Sequence, residues 1–301
     1  MRENKGKFFG DFKKVICILV TTFNRINVTR LFLNRLSSEL ELSGFEADIY
    51  IVDDGSTDGT AEMIMKDYPQ VNLIRGTGQL YWAGSVHLAI ESLGKRLTRY
   101  SAILHLNDDV ELNCGSLNSL FSIFQKERAI IGGAVLTRIG EIESTGSVLG
   151  KICKPRVRKL SPTGEVQHCD ALPGQILLIP TEIFFKLGGF DKNLKYSLID
   201  LEFTIRASRS GFPVLLAPKP LGTTEIQHNY YLESSSKRGT LKDLIGQIPM
   251  HPKGPHYKDS IYYLRKVSPV LWWIWIIPYY RGFFVAILMS WVSMIGKQTT
   301  K

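Results

Sequence analysis

Three short apolar runs in this chain stop abruptly at polar residues. VICILVT (15–21) gives way to TFNR, DIYIVD (48–53) to DGSTDGT, and SAILHL (101–106) to NDDVEL. A compact apolar run without alternation fits a strand buried on both faces, which is the strand type of parallel sheets covered by helices. The segments between the runs carry helical spacing. Ile26, Leu33, Leu36 and Leu40 share a face after the first run, with Thr22 or Asn24 placed to cap that helix. DGSTDGT is turn-rich and positioned to cap the helix containing AEMIMKDY; VNLIR (71–75) and a helix over roughly 83–95 repeat the pattern. The resulting β-α-β-α-β order predicts an α/β fold with a mostly parallel sheet flanked by helices. Ligands of such sheets bind beyond the carboxyl ends of the strands, so residues 21–25, 53–54 and 107–109 are expected to converge.

Beyond residue 113 the pattern loosens. AIIGGAVL (129–136) and LPGQILLIP (172–180) read as strands, the latter followed by a short helix and GGFD (188–191). SLIDLEFTIRASRSGF (197–212) reads as a helix closed by Gly211, with PVLLAP (213–218) and TEIQH (224–228) as further strands. Residues 137–170 read as loop and contain the basic cluster KICKPRVRK (151–159). That cluster suits either a bound phosphate or plain solvation.

Charge and apolarity set the C-terminal part aside. From Tyr231 onward ten Lys and Arg face three acids, which accounts for +7 of the formal +9. LWWIWIIPYYRGFFVAILMSWVSMIGK (271–297) holds two apolar runs divided by Pro278 and Arg281. Each is shorter than the roughly 20 residues of a spanning helix. Trp and Tyr beside basic residues suit a segment lying at an anionic membrane surface; the alternatives are a packed helical hairpin and one kinked span. The chain therefore divides into a basic tail (1–14), an α/β domain (15–230) and a basic, aromatic extension (231–301). The first fourteen residues lack the apolar core of a secretion signal, so a cytoplasmic location, peripheral to the inner membrane face, is expected. Four scattered cysteines suit reduced thiols, and Cys153, His168 and Cys169 match no common zinc spacing. No nucleic-acid recognition motif is present.

The adjacent carboxylates Asp108 and Asp109 repel each other and are costly to bury without a cation. With VTTFNR, IVDDGSTDGT, LNDDVEL, LGGFD and IDLEFTIRASRSGF in this order, the chain resembles the family 2 glycosyltransferases of GT-A fold over about residues 15–230. The aromatic turn RGTGQLYWAG resembles that of the rhamnosyltransferase-like branch. The resemblance implies an inverting, metal-dependent transfer from a UDP- or dTDP-sugar to a saccharide acceptor, lipid-linked, in bacterial cell-surface polysaccharide synthesis. It makes Asp109 a ligand of Mn²⁺ or Mg²⁺, with His228 completing the shell. It turns Asn107 and Asp108 toward the ribose or the sugar. Asn107 stands where the family's first carboxylate would be, removing one formal charge. Asp53 corresponds to the residue that accepts from the nucleobase imide, and Thr22 and Asn24 belong to the same donor-facing turn. Arg25 reaches for the diphosphate or is a solvated first-turn arginine. Trp82 is either a donor-site wall or a core anchor. Asp200 corresponds to the base, with Ile199 replacing the usual preceding glutamate. Asp54 is a ligand contact or a helix cap, and Asp191 a turn residue. Glu202 and Arg206 have the spacing of a structural ion pair, while His87 and His105 are explained by packing.

Two other classes compete. A nucleotidyltransferase also sets carboxylates beyond a parallel sheet, but wants a glycine-rich basic loop after the first strand, and TTFNR has no glycine. A non-catalytic membrane-associated scaffold would keep the fold without turnover.

Overall fold

The structure of the protein, a computed structural model, describes residues 15–150, 157–225 and 256–274. Strand β1 (Val15–Thr22) divides its side chains between two cores, as a strand covered on both faces must. Ile16, Ile18 and Val20 join Phe32, Leu33 and Leu36 of helix α1 (Ile26–Ser43); Cys17 and Leu19 join Ala89 and Leu93 of α3 (Tyr81–Leu93). β2 (Glu46–Asp53) and β4 (Ala102–Asn107) flank β1 in parallel, and β3 (Asn72–Arg75) lies parallel to β2 at the edge. α2 (Thr60–Asp67) connects β2 to β3.

The other half of the sheet is mixed. β11 (Ile176–Pro180) runs antiparallel between β4 and β6 (Ile130–Thr137), and β12 (Val214–Thr224) returns parallel to β6. β10 (Gln167–His168) and β5 (Glu111–Leu112) pair with β12, and β7 (Ile142–Ser144) with β6. β8 (Ser147–Leu149) and β9 (Val157–Lys159) form a separate ribbon. The expected parallel order thus holds for β1 to β4 and gives way beyond them. Residues 137–170, expected as loop, contain these short strands, which have too few residues to show a period. The expected strands 213–218 and 224–228 are replaced by the single β12; Pro218 and Pro220 lack amides, and the register with β6 shifts on either side of Pro220. Within TEIQH, residues 226–228 lie outside the described residues.

Helix starts are capped from elsewhere in the chain. Arg25, not Thr22 or Asn24, occupies the α1 cap position and contributes no side-chain bond there. Asp58 Oδ2 accepts the Ile26 amide at 3.0 Å and Thr60 Oγ1 the Arg25 amide at 3.3 Å. For α4 (Ser116–Glu127), Glu39 from the middle of α1 accepts the Gly115 and Leu117 amides at 3.0 and 3.3 Å. α5 (Thr181–Lys186) and α6 (Ile199–Arg209) follow β11. α7 (Tyr257–Val267), within the basic extension, packs Tyr263 and Leu264 into a cluster with Ala83, Val86 and Ile205. Asp259 accepts the Tyr196 and Ser197 amides at 2.7 and 3.1 Å, and Lys266 reaches Asp191 at 2.5 Å and Glu202 at 2.6 Å. Among the described residues no helix is long and apolar enough to cross a membrane.

Because Glu39 is buried and satisfies two helix-end amides, Glu39→Ala should cost about 2 kcal/mol, with Glu39→Gln losing less. Urea unfolding checks this; equal midpoints for Glu39→Ala and wild type would show that the cap contributes nothing.

Candidate active site

The carboxyl ends of β1, β2 and β4 meet as expected. Thr22 is in register with Asp53, and Thr21 with Asn107. The Thr22 carbonyl accepts the Asp54 amide at 3.0 Å, and its hydroxyl pairs with Thr29 at 2.8 Å. Asn24 takes up φ 50°, a left-handed conformation that asparagine tolerates. From there Oδ1 accepts the Thr57 amide at 2.7 Å, and its own amide donates to Ser56 Oγ at 2.8 Å. The first two loops are thereby one unit.

Asp53 is fully buried. Oδ1 accepts from the Ser56 hydroxyl and amide, and Oδ2 from Arg75 Nη1 at 3.1 Å. The other arm of Arg75 reaches Glu62 at 3.1 Å. Sequence reasoning missed Arg75. It ends β3 in register with Asp53, a pairing across two strands that no spacing in the chain displays. Asp54 takes the capping role rather than facing a ligand, although for a helix other than the one that follows it. Its two oxygens accept the Gly78, Leu80 and Tyr81 amides at 2.8 to 3.0 Å, which starts α3 two residues earlier than its apolar spacing implied. A Cβ at Gly76 would stand 2.7 Å from Asp54 Oδ1, so only glycine fits there.

The acidic turn after β4 has an internal cation. Arg25 Nη1 lies 2.7 Å from Asp108 Oδ1 and 3.1 Å from Asp109 Oδ2. Thr29 donates to Asp108 Oδ2 at 3.0 Å. Burial pushes the Asp108 pKa up, against the opposing pull of Arg25. One guanidinium does not satisfy the whole turn. Asp109 Oδ1 and Asn107 Oδ1 are buried with no hydrogen-bond partner among the described residues. Unpartnered buried oxygens on a carboxylate and an amide are the donor type that a hard divalent cation takes. No three His, Cys, Asp or Glu side chains converge on one point among the described residues, and His228 lies outside them.

Asp200, the second residue of α6, lies beside this turn through the backbone. Its Oδ2 accepts the Gly174 amide at 2.5 Å. The next residue, Gln175, accepts the Asn107 amide at 3.1 Å, which extends the antiparallel β11–β4 register toward Asp108. Burial raises the Asp200 pKa to about 6, while the Leu201, Gly174 and Asp200 amides hold it down. Trp82 belongs to this part of the site. A Cβ at Gly174 would meet its ring at 2.7 Å, and Asp200 Oδ2 at 3.2 Å. Glu202 and Arg206 form the expected structural pair, with Arg206 also donating to the Leu187 and Gly189 carbonyls. Asp191 is a turn residue that accepts from Asn193 and Tyr262.

This loop constellation is what the motif resemblance implied, and the sequence profile of Glycosyl transferase family 2 matches residues 17–170. The chain belongs to glycosyl transferase family 2. No curated protein matches it. Among solved structures, GalNAc-T7 with UDP, GalNAc and Mn²⁺ superposes with a TM-score of 0.61 at 14% identity, over 88% of this chain and 50% of that one. The mannosyltransferase PcManGT from Pyrobaculum calidifontis, in complex with GDP-Man and Mn²⁺, gives 0.50 at 12% identity, over 95% and 79%. TarS of S. aureus gives 0.50 at 14% identity, over 85% and 42%. This glycosyltransferase therefore spans half the GalNAc-T7 chain, and at these identities the likeness is one of the GT-A fold.

The resemblance implies that Asp200 is the base, and a base must be ionised to act; on that assignment turnover should fall on the acid side with a midpoint near the Asp200 value of about 6. A pH–rate profile of kcat/KM checks it; a flat profile between pH 5 and 8 would remove Asp200 from that role.

Proposed function

We propose that this glycosyltransferase moves a sugar, with inversion, from a UDP- or dTDP-sugar to the hydroxyl of a saccharide acceptor. The observation that carries the reading is the placement of Asp200, a buried carboxyl of raised proton affinity, on the same sheet edge as the Asp108–Asp109 turn. Asp200 takes the proton of the attacking hydroxyl as that oxygen closes on the anomeric carbon from the face opposite the nucleotide. Asp53 accepts the imide N–H of the base through Oδ2, which holds only the bond from the half-exposed Arg75 and keeps a second lone pair, whereas Oδ1 is taken up by Ser56. Arg25 turns from the carboxylates to the diphosphate when the donor arrives. Asn107 and Asp108 face the ribose and sugar.

Asp109 is the ligand we assign to Mn²⁺ or Mg²⁺, with His228 as a further candidate outside the described residues. The unpartnered Asp109 Oδ1 supports this, as does the presence of Mn²⁺ in the GalNAc-T7 and PcManGT structures. Such an ion, when bound, neutralises charge on the leaving diphosphate.

We place the acceptor on a lipid at the inner face of a bacterial membrane, in cell-surface polysaccharide synthesis. Support comes from the end of the described chain. Val270 and Trp273 are exposed, and Arg265 lies 4.5 Å over Trp272, just ahead of the basic aromatic stretch. Trp beside Arg suits the headgroup region of an anionic surface.

Asp109→Ala should abolish metal-dependent UDP binding, whereas Asp200→Asn should keep binding and lose turnover by about 100-fold or more. Calorimetry with UDP and Mn²⁺, alongside turnover of a panel of UDP- and dTDP-sugars, reads both; unchanged affinity in Asp109→Ala contradicts the metal assignment. Truncation after Ser268 keeps α7 and should move the protein from the membrane to the soluble fraction. An unaltered distribution on sedimentation would favour the packed hairpin.

A further inference from the structure

We propose that His105 is a positioning residue for Asp200, acting through Gly174; this rests on Asp200 being the base. Packing alone does not account for His105. It sits in β4 between Leu104 and Leu106, in a strand whose other residues are apolar through Leu106. An imidazole buried there costs free energy that a leucine would not.

The hydrogen bonds show what the imidazole does. His105 Nδ1 lies 2.5 Å from the Gly174 carbonyl oxygen. A carbonyl only accepts, so Nδ1 carries the proton. Burial drives the ring pKa down to about 4, opposed by this bond, so the ring is neutral at pH 7 and Nε2 carries a bare lone pair. That Nε2 is buried and has no partner among the described residues, so the bond through Nδ1 is the ring's polar role.

Gly174 is held from both sides. Its carbonyl is fixed by His105, and its amide donates to Asp200 Oδ2 at 2.5 Å. On a third side is Trp82, edge-on to the His105 ring with centroids 5.2 Å apart and close enough to Gly174 to exclude a Cβ. Glycine has the widest backbone freedom of any residue, and two opposed hydrogen bonds remove it. The direction of the Gly174 amide, and with it the orientation of the Asp200 carboxylate, therefore depends on a side chain from another strand. The groups that face Asp200 are the Asp200, Leu201 and Gly174 amides and, across Gly174, the neutral His105; no charged side chain among the described residues contributes to its shift.

NMR of the full chain, labelled with ¹⁵N-histidine and ¹³C-carboxyl aspartate, tests this without a substrate. Wild-type His105 should hold the neutral Nδ1–H tautomer from pH 5 to 8. His105→Phe keeps bulk and loses the donor. It should raise the Asp200 titration midpoint by about one unit, because the Gly174 amide is no longer aimed. His105→Asn, whose amide N–H stands near the lost Nδ1, should restore it.

Turnover gives the second readout, as nucleoside diphosphate released from whichever of UDP-glucose, UDP-galactose, UDP-N-acetylglucosamine and dTDP-rhamnose the wild type consumes fastest. kcat should fall about tenfold in His105→Phe with donor KM unchanged, and recover in His105→Asn. An Nε2–H tautomer, or a ring titrating between pH 5 and 8, overturns the proposal even if no variant folds. An unmoved Asp200 midpoint with wild-type kcat in His105→Phe also overturns it. Asp200→Asn separates the two readings. Full turnover there removes the base itself, whereas its loss beside an unaffected His105→Phe removes only the positioning role.

Discussion

Two adjacent carboxylates at the end of a buried strand are the constraint around which this protein is arranged. Asp108 and Asp109 are almost wholly shielded from solvent, and burying like charges side by side is unfavourable unless something opposite is close. Arg25 supplies that charge from the β1–α1 turn and so fixes the distance between the first and fourth strands' loops. The chain meets only part of the demand. Among the described residues one oxygen of Asp109 is left without a partner, and the proposed cation assignment rests on that unmet demand.

The remaining acids near the sheet edge serve a different purpose. Asp54, Asp58 and Glu39 each accept amides at helix starts that lie elsewhere in the chain. A helix start leaves amides unpaired, and a carboxylate is a strong acceptor for them. These bonds tie loops to helices across the fold. Near α6 the same logic runs through α7, whose Asp259 holds the Tyr196 and Ser197 amides just before α6 begins with Asp200 as its second residue. The first helix of the basic extension is thus a brace for the loop that leads into Asp200.

Glycosyl transfer asks a protein to keep an anionic leaving group and an anionic base apart while both stay near one sugar. The two halves of the sheet answer this by topology. The parallel half carries the loops proposed to hold the donor, and the inserted antiparallel β11 is preceded by Gly174, whose amide donates to Asp200 of α6. Only a strand entering against the direction of β4 brings its beginning, rather than its end, to the edge where the carboxylates lie.

Much of this was written in local patterns. Compact apolar runs ending in TFNR, DGSTDGT and NDDVEL determined the strands, their parallel order and the edge where the polar ends would meet, because burial on both faces and strand direction are local properties. Side-chain partners were not legible, since a hydrogen bond between residues far apart in the chain leaves no spacing to read. Asp54 caps a helix 26 residues away, Arg75 pairs with Asp53 across a strand pair, and His105 meets Gly174 at a separation of 69. Nor did apolar periodicity reveal that β11 enters antiparallel, or that Pro218 and Pro220 bend one strand where two were expected. The sequence by itself determined which residues could carry charge to the site. Tertiary structure alone decided which of them are held by other side chains and which keep a lone pair open, because that depends on what packing brings within hydrogen-bond reach.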